Sequence, residues 1–419
     1  MRVLVVTPRE PWPPNDGGRL HLYHVLKHLA DRAEVTLALP RPATGDDELR
    51  GRLRVETVPD VAHASQRRRR RLAALDRLIR RHVPYSPAIE AWLRRNARLE
   101  RFDAVLLHGT ALGHYVAACR VPVVWDPVDE LVLHAVRDAE YGPWQRWPAA
   151  LRHAAVCAWY EHVAASRAAA TVFVSSVDAA VARRWVGDRR IEVVANGVDL
   201  DYFQPPATPP DPGTVLFVGS LDFPPNVDAV SFFVRRVWGR LYERDRRRRL
   251  LIVGRHPVAA VRTLASQAGV ELVADVPDVR PYFARAGVVI APTRKGGGLK
   301  NKILEACAMR RPVIASPRAV AGLSARPGRD LLLAASPAAW AARVEQVLHH
   351  PRWAEGLAER GYDWVCRAHR WSDAGQRFLG ILASVCGACV DELVDDPDVP
   401  RPASLVIKAR TAAVMELVP

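Results

Sequence analysis

Two series of alternating strand-like and helix-like segments, divided by a proline-dense stretch, constrain the fold of this chain most strongly. Short apolar segments with many β-branched residues, of which residues 3–7 are the first, are typical of buried parallel strands. The series stops at the proline-dense residues 204–213 and begins again at residues 215–218. A β-α-β order favours a doubly wound parallel sheet, and 419 residues suffice for two domains. The sequence therefore predicts an α/β protein whose two doubly wound domains face a ligand-binding cleft.

The predicted elements follow the same alternation in both halves of the chain. Further strands are expected at residues 35–39, 55–58, 104–108, 121–125, 171–175 and 191–195 in the first half, and at 250–253, 270–273, 288–291, 312–315 and 331–334 in the second. Longer helices are expected at residues 66–82, 144–170, 300–309, 337–350 and 351–382. The first helix, after residue 18, is expected to have an apolar face made of Leu20, Tyr23, His24, Leu26, Lys27 and Leu29.

The composition shifts along the chain predict where the domains begin and end. We expect a first domain at residues 1–203, a linker at 204–213, a second domain at 214–350, further helices at 351–390, and a poorly ordered acidic tail at 391–419.

A glycine-rich turn before a helix-like segment is the first candidate binding site. Residues 296–298 are all glycine, and they separate a predicted strand from the helix expected at 300–309. Glycines let a backbone approach a ligand closely, and free N–H groups at a helix start bind phosphate oxygens. Lys300 and Lys302 add positive charge there, and Glu305 offers a carboxylate for ribose hydroxyls. Spacing alone leaves a plain alternative open, in which the glycines cap a helix of an α/β domain and the lysines are solvated.

Small and polar residues also follow predicted strands of the first domain. Gly17 and Gly18 open the helix after the first strand, so their amides are expected at the carboxyl edge of the sheet. His108 ends one strand, and Asp126 and Asp129 follow the next. Open α/β sheets bind ligands at this edge, which makes all five residues candidate site residues. The alternatives are that the glycines only allow a flexible turn and that His108 is an ordinary turn residue.

The net charge of +15 favours anionic partners such as nucleotides or phospholipid surfaces. Five consecutive arginines at 67–71 precede the helix expected at 66–82, which is either a solvated face or a basic amphipathic segment that rests on anionic lipid. No aromatic residues interleave with these arginines, so nucleic acid is not an expected partner. Six cysteines in so long a chain indicate reduced thiols, and no window is apolar enough to span a membrane. We expect a cytoplasmic protein, with the inner face of the plasma membrane as a candidate peripheral location.

Several segments resemble the GT-B glycosyltransferases of the large retaining family 4. Residues 193–203, VVANGVDLDYF, resemble the end of that family's first domain, and 217–233, FVGSLDFPPNVDAVSFF, resemble the opening of its nucleotide domain. Residues 274–292, ADVPDVRPYFARAGVVIAP, and 296–316, GGGLKNKILEACAMRRPVIAS, resemble its donor site. The sugar transferases of exopolysaccharide or PEP-CTERM gene systems are the most similar subset, and DPVDELV at 126–132 is similar to one of their segments.

The resemblance implies a GT-B fold of two Rossmann-like domains, with the C-terminal helix packing back toward the first domain. It implies transfer of a sugar from a nucleotide-diphosphate donor to a carbohydrate, lipid-linked or small-molecule acceptor, with retention of configuration. It also implies no cofactor and no bound metal. In the usual picture of this family the acceptor attacks on the face that the diphosphate leaves, so Asp126, Asp129 and His108 are expected only to orient the acceptor or the sugar.

The donor-site residues follow from the same resemblance. Glu305 matches the second glutamate of the family's E-x7-E motif, which holds the donor ribose, and Lys302 matches a basic position that neutralises the diphosphate. This side of the predicted site is completed by the backbone amides of Gly297, Gly298 and Leu299 and by the neighbouring Lys300 and Asn301. Gly17 and Gly18 match the loop that closes over the diphosphate from the first domain.

Two departures from the family pattern keep other functions open. Gly297 stands where the motif has its first glutamate, which contacts the donor sugar in the broader family. VGSLDFPPN stands where many members have a basic pair, and Arg255 after the next strand is the candidate substitute. The alternatives are therefore a nucleotide-sugar-binding or scaffold protein without catalysis, and a nucleotide-sugar epimerase.

Overall fold

Apolar segments form parallel strands in both halves of the chain, as the alternating pattern predicts. The computed structural model describes residues 1–40, 48–58, 79, 83–128, 130–139, 145, 147–187, 189–211, 213–295 and 298–387. The arginine-rich helix predicted at 66–82, apart from Ile79, and the tail predicted at 391–419 lie outside the described residues. So do two predicted site residues, Asp129 and Gly297.

The first sheet has seven parallel strands in the order β3-β2-β1-β4-β5-β6-β7. The strands are β1 Arg2–Val6, β2 Glu34–Leu39, β3 Arg54–Thr57, β4 Ala104–His108, β5 Val123–Val128, β6 Ala170–Phe173 and β7 Ile191–Val193. The helices are α1 Gly17–Arg32, α2 Glu48–Gly51, α3 Pro87–Asn96, α4 Leu131–Ala139, α5 Trp147–Ala165 and α6 Ser176–Val186, with a 3-10 helix at Thr110–Ala118. Alternate residues of β1 enter different apolar clusters on the two faces, so both faces of this sheet are covered.

The second sheet has six parallel strands in the order β10-β9-β8-β11-β12-β13. The strands are β8 Thr214–Val218, β9 Arg249–Gly254, β10 Val270–Ala274, β11 Val288–Ala291, β12 Val313–Ala315 and β13 Leu332–Leu333. The helices are α7 Pro224–Phe233, α8 Gly239–Arg244, α9 Ala259–Arg262, α10 Arg280–Arg285, α11 Asn301–Ala308, α12 Pro317–Val320, α13 Pro337–His349, α14 Pro351–Ala368 and α15 Trp371–Val385. A π-helical turn, Val234–Trp238, joins α7 to α8, and a 3-10 turn, Thr263–Ser266, follows α9.

The last helix returns to the first domain, as the resemblance implies. α15 packs against α1, and Phe378 and Leu382 join the apolar cluster that covers β1. The single helix predicted at 351–382 is wrong, because α14 and α15 are separated at His369 and Arg370. There the chain crosses the end of the first domain, and the Val198 N–H donates to the His369 carbonyl at 2.8 Å.

Two further details of the first domain differ from prediction. Because both α15 and the sheet cover α1, its buried residues are His21, Leu22, His24, Val25, Leu26 and Leu29. Lys27, which was predicted to belong to the apolar face, is exposed. The strand predicted to end at Trp125 continues to Val128 and therefore contains Asp126. Its register against β6 shifts between Trp125 and Val128, a bulge that accommodates Pro127 inside the strand.

Candidate active site between the two domains

The predicted site residues lie at the points where the strand order of each sheet reverses. In the first sheet, β1 and β4 are neighbours, and their carboxyl ends lead to Gly17 and His108. In the second sheet, β8 and β11 are neighbours, and they lead to Gly219 and to α11. Connections that leave in opposite directions open a crevice at such a point, which is where open α/β sheets bind ligands.

Lys302 lies in the first turn of α11 and is 8% exposed. Its Nζ donates to Asn226 Oδ1 at 2.9 Å and lies 4.2 Å from the centre of the Phe217 ring. No acidic residue in the described part of the chain forms an ion pair with it. Burial, with a smaller contribution from Lys300, lowers the pKa of Lys302 to about 7, against the opposing effect of Glu305. A buried cation without a counter-ion is a good receptor for an anion that arrives from outside.

Glu305 lies one turn further along α11 and is half-buried. Its carboxylate makes no hydrogen bond with any residue that the structure describes. Burial raises the pKa of Glu305 to about 7, against the opposing effect of Lys302. A buried carboxylate without a hydrogen bond is stabilised by any donor that reaches it. Glu305 can therefore accept hydrogen bonds from hydroxyl groups of a ligand.

Two glycines keep the space beside Lys302 open. A Cβ on Gly219 would lie 2.8 Å from Lys302 Nζ, and a Cβ on Gly254 would lie 1.8 Å from the Gly219 carbonyl oxygen. Side chains at either position would displace the loop after β8 or the lysine itself. Arg255 follows Gly254, is half-buried, and has no hydrogen-bonding partner for its guanidinium among the described residues. It stays a candidate for the missing basic position of the family pattern.

The remaining predicted donor residues surround the start of α11. Gly298 has φ of +72°, a left-handed conformation that favours glycine, and its carbonyl accepts a hydrogen bond from Lys300 Nζ at 3.0 Å. Leu299 is half-buried and packs toward Gly322, whose own loop touches Ser175 of the first domain. The predicted segment therefore lies where both domains meet.

His108 and Asp126 form a pair across β4 and β5, where they are direct register partners. His108 Nδ1 lies 2.8 Å from Asp126 Oδ2. Burial alone would raise the pKa of Asp126, but His21 and His108 more than offset it and hold that pKa well below its usual range. An ionised Asp126 accepts a hydrogen bond from the Nδ1–H of His108, so the lone pair of a neutral His108 is on Nε2, which meets no hydrogen-bonding partner in the described chain.

His21 extends this pair into a hydrogen-bonded chain that crosses to the second domain. Its Nε2 lies 3.1 Å from Asp126 Oδ2, and its Nδ1 lies 2.8 Å from Asn196 Oδ1. Asn196 Nδ2 then donates to Asn301 Oδ1 at 3.2 Å, at the first residue of α11. We call this chain, Asp126–His21–Asn196–Asn301, the interdomain relay. It joins the carboxylate of the first domain to the helix that carries Lys302.

Gly17 and Asn196 fix the two ends of this contact. A Cβ on Gly17 would lie 3.9 Å from Asn301 Nδ2, so the start of α1 faces the start of α11. His369 Nδ1 donates to the Asn196 carbonyl at 2.9 Å, and a Cβ on Gly197 would lie 2.4 Å from the Trp371 backbone nitrogen. The absence of a side chain at Gly197 permits this close crossing of two backbone segments.

Only one group of residues in the described ranges, His21, His108 and Asp126, has ligand atoms close enough together to hold a metal ion. Both rings, however, direct a nitrogen at the same oxygen, Asp126 Oδ2. Two N–H donors on one carboxylate oxygen are ordinary hydrogen bonds, and Oδ1 accepts a further one from the Val128 N–H at 3.1 Å. These hydrogen bonds account for the contacts of the group without an ion.

A shallow surface cavity of about 310 Å³ lies elsewhere, beside Tyr202, Gln204 and Arg280. None of the predicted site residues lines it.

Two family models match the chain in succession. A model described as "Glycosyltransferase Family 4" matches residues 15–202, and one described as "Glycosyl transferases group 1" matches residues 212–350. Together they cover most of the chain and both sheets. The chain belongs to the GT-B glycosyltransferases. Among curated protein sequences, none matches this GT-B glycosyltransferase.

Solved structures of similar fold cover nearly the whole chain. HepE from Anabaena, in complex with UDP and glucose, is 15% identical, with a TM-score of 0.61 over 92% of this chain and 100% of that one. A sucrose-phosphate synthase from Thermosynechococcus elongatus is 16% identical, with a TM-score of 0.70 over 93% and 100%. WaaG, a glycosyltransferase involved in lipopolysaccharide biosynthesis, is 14% identical, with a TM-score of 0.60 over 91% and 99%. At these identities the likeness establishes the GT-B fold.

Sequence reasoning missed His21, Asn196 and Asn226 as residues of this GT-B site. His21 carried a usable signal, since it is a polar residue on a helix next to the predicted glycine loop. Asn196 and Asn226 carried none, because each acts through a partner more than 70 positions away in the chain. Within the described ranges, none of the helices combines the length and the apolar character needed to cross a membrane.

Proposed function

We propose that this GT-B glycosyltransferase moves a sugar from a nucleotide-diphosphate donor to an acceptor hydroxyl, with retention of configuration. The observation that carries the proposal is Lys302. It is a nearly buried cation that has no counter-ion among the described residues, and it lies in the first turn of a helix at the switch point of the second sheet. Phosphate oxygens are the natural complement of such a cation together with the N–H groups of a helix start.

The donor would lie across the switch point of the second sheet. Lys302, the backbone of residues 298–299 and the candidate cation Arg255 would neutralise the diphosphate, and the Glu305 carboxylate would accept hydrogen bonds from the ribose. As the sugar–phosphate bond breaks, negative charge grows on the leaving group. Fixed cations and amides aimed at that charge lower the barrier, each by about 3 kcal/mol where geometry is good.

His108 is the proposed contact on the opposite side of the cleft. Asp126 fixes its Nδ1, and Nε2 remains to orient an acceptor or sugar hydroxyl. Asp126 itself is fully buried and already accepts three hydrogen bonds, so it is poorly placed to act as a nucleophile. This supports a reaction in which the acceptor attacks from the side of the leaving diphosphate, whose oxygen takes the proton, and the sugar keeps its configuration.

The nucleotide, acceptor and location are finer parts of the same proposal. HepE was solved with UDP and with UDP-glucose, so uridine donors are the first to test here. We propose a carbohydrate or lipid-linked acceptor, a role in exopolysaccharide synthesis, and a cytoplasmic site of action without a metal requirement. The roles predicted for Gly297 and Asp129, which lie outside the described residues, remain predictions.

The experiment is a transfer assay with uridine, guanosine, adenosine and thymidine diphosphate sugars and a panel of acceptors. Proton NMR of the product gives the anomeric configuration of the new linkage. We expect a product with the donor's configuration, formed at similar rates by the wild type and by Lys27→Met, a matched lysine substitution on an exposed part of α1, and at least about 100-fold more slowly by Lys302→Met.

Other outcomes would separate the alternatives. Conversion of the donor without acceptor would identify an epimerase, and donor binding with no transfer would identify a binding protein. A product of inverted configuration would contradict the proposed reaction course while leaving donor binding intact.

A further inference from the structure

The outer face of α5 carries a row of exposed apolar side chains. Trp147, Leu151 and Trp159 are 37%, 58% and 49% exposed, and Ala155 between them is exposed as well. These four residues are each four positions apart, so they follow one another along the helix surface. Single exposed apolar residues are ordinary, but three of the eight exposed large apolar residues in the described ranges lie on this one helix.

The exposed charged side chains of α5 and of α6, the next helix along the chain, are all positive. α5 and α6 together contain two acidic residues, Glu161 and Asp178, and both are buried. Their arginines, Arg152, Arg183 and Arg184, are all exposed. The two helices pack together, and His162 Nδ1 donates to the Trp185 carbonyl at 2.7 Å. Trp159 contacts the His162 ring at a centroid distance of 6.1 Å, which places the apolar row next to the arginines of α6.

We propose that this face, the α5–α6 surface, binds the surface of an anionic lipid bilayer. Tryptophan side chains favour the boundary between headgroups and acyl chains, because one part of the ring is apolar and the other is polar. Arginines beside them attract anionic headgroups, and no exposed acidic residue of α5 or α6 repels them. A protein partner of matching shape would be expected to meet mixed charges at the rim, which these two helices lack.

The position of the surface gives it a functional consequence. On the inner face of α5, Tyr160 donates to the Thr110 carbonyl at 2.7 Å, two residues beyond His108. The bilayer and the acceptor side of the cleft would therefore be separated by one layer of helix. The inference is independent of the donor site, since lipid binding needs neither Lys302 nor a nucleotide sugar.

Vesicle sedimentation tests the surface with the full chain and no donor. The probes are vesicles of phosphatidylcholine alone and of phosphatidylcholine mixed with phosphatidylglycerol. We expect binding to the anionic vesicles, weakened by salt. Leu151→Ser/Trp159→Ser is expected to lower the partition coefficient about tenfold, because two exposed side chains no longer insert. Arg152→Glu/Arg184→Glu is expected to lower it at least as much.

Matched controls use exposed residues of the second domain. Trp353→Ser removes a tryptophan of similar exposure, and Arg235→Glu/Arg236→Glu reverses two exposed arginines. Both are expected to bind as the wild type does. The proposal is overturned by equal binding to neutral vesicles or by unchanged binding of the α5–α6 variants. A concentration-dependent dimer that the Leu151/Trp159 variant abolishes would overturn it too, since a second copy would then cover the surface.

Discussion

The two halves of the candidate site treat their buried charges in opposite ways. In the first domain, Asp126 accepts hydrogen bonds from His21, His108 and the Val128 backbone, so its charge is balanced before any ligand arrives. In the second domain, the described residues give the Lys302 side chain one hydrogen-bonding partner, the neutral Asn226, and give the Glu305 carboxylate none. The first half is thus already organised, while the second half remains uncompensated until an anion and hydroxyl groups reach it.

This difference separates stability from binding. A satisfied buried charge contributes to the fold, and removing its network costs stability. An uncompensated buried charge lowers the stability of the folded protein, and this loss is recovered only when a ligand binds. We therefore expect substitutions in the first half to unfold the protein more readily, and substitutions in the second half to weaken ligand binding at little cost to the fold.

Asp126→Asn should give the largest effect. It removes a buried charge from between two histidines, and we expect a loss of about 3–5 kcal/mol in the free energy of unfolding, measured by urea denaturation. Because the folded-state pKa of Asp126 is depressed, its contribution is present above the ordinary value of 3.8 and is lost as pH falls toward the folded value. The stability of the variant should thus fall less steeply in acid than that of the wild type. Asp373→Asn, at an exposed aspartate of α15, is the control.

Lys302→Met should separate binding from folding most sharply. We expect kcat/KM for transfer to fall about 100- to 1,000-fold, since the cation proposed to bind the leaving diphosphate is gone. Stability should change by less than about 1 kcal/mol, because a costly buried amine is replaced by an apolar chain of similar length. Comparable losses of stability in Lys302→Met and Asp126→Asn would contradict the contrast between the halves.

The pH dependence of donor affinity should reveal the titration of Lys302 and Glu305, the two ionisable groups of α11 at the site. An anion favours charged Lys302, whose pKa is about 7, so affinity should fall about tenfold per pH unit above that value. Ribose hydroxyls favour ionised Glu305, also near 7, so affinity should fall below it. Calorimetric titration with a nucleotide sugar should therefore give a maximum near pH 7. Glu305→Gln should keep only the alkaline decline and Lys302→Met only the acid decline, and an unchanged profile in both variants would exclude these groups.

The interdomain relay should give the smallest effect. Asn196→Ala and Asn301→Ala are each expected to reduce kcat several-fold, and the double variant should be no worse than either single one. The coupling energy of the cycle is expected to be about 1 kcal/mol. Strictly additive losses would show that the two amides act separately.

The sequence predicted more of the scaffold than of the site's connections. Apolar runs located the strands, and glycines next to a helix start pointed to α11, because both signals are local. The hydrogen-bonded half of the site, in the first domain, was harder to predict from the sequence. His21, Asn196 and Asp126 lie far apart in the chain, and no spacing rule indicates that they share hydrogen bonds. The bulge that places Asp126 inside β5, and the return of α15 over α1, depend on tertiary packing that periodicity does not carry.

The most direct test is a thermal-shift comparison of the wild type and Lys302→Met with uridine, guanosine, adenosine and thymidine diphosphates. A ligand that binds only the folded state raises Tm, and we predict a rise of about 3 °C or more with one nucleotide at saturating concentration. Lys302→Met should start from a similar Tm and show a much smaller rise at the same nucleotide concentration. Equal shifts in both proteins, or none with any nucleotide in a folded wild type, would contradict the assignment of Lys302 as the receptor of the diphosphate.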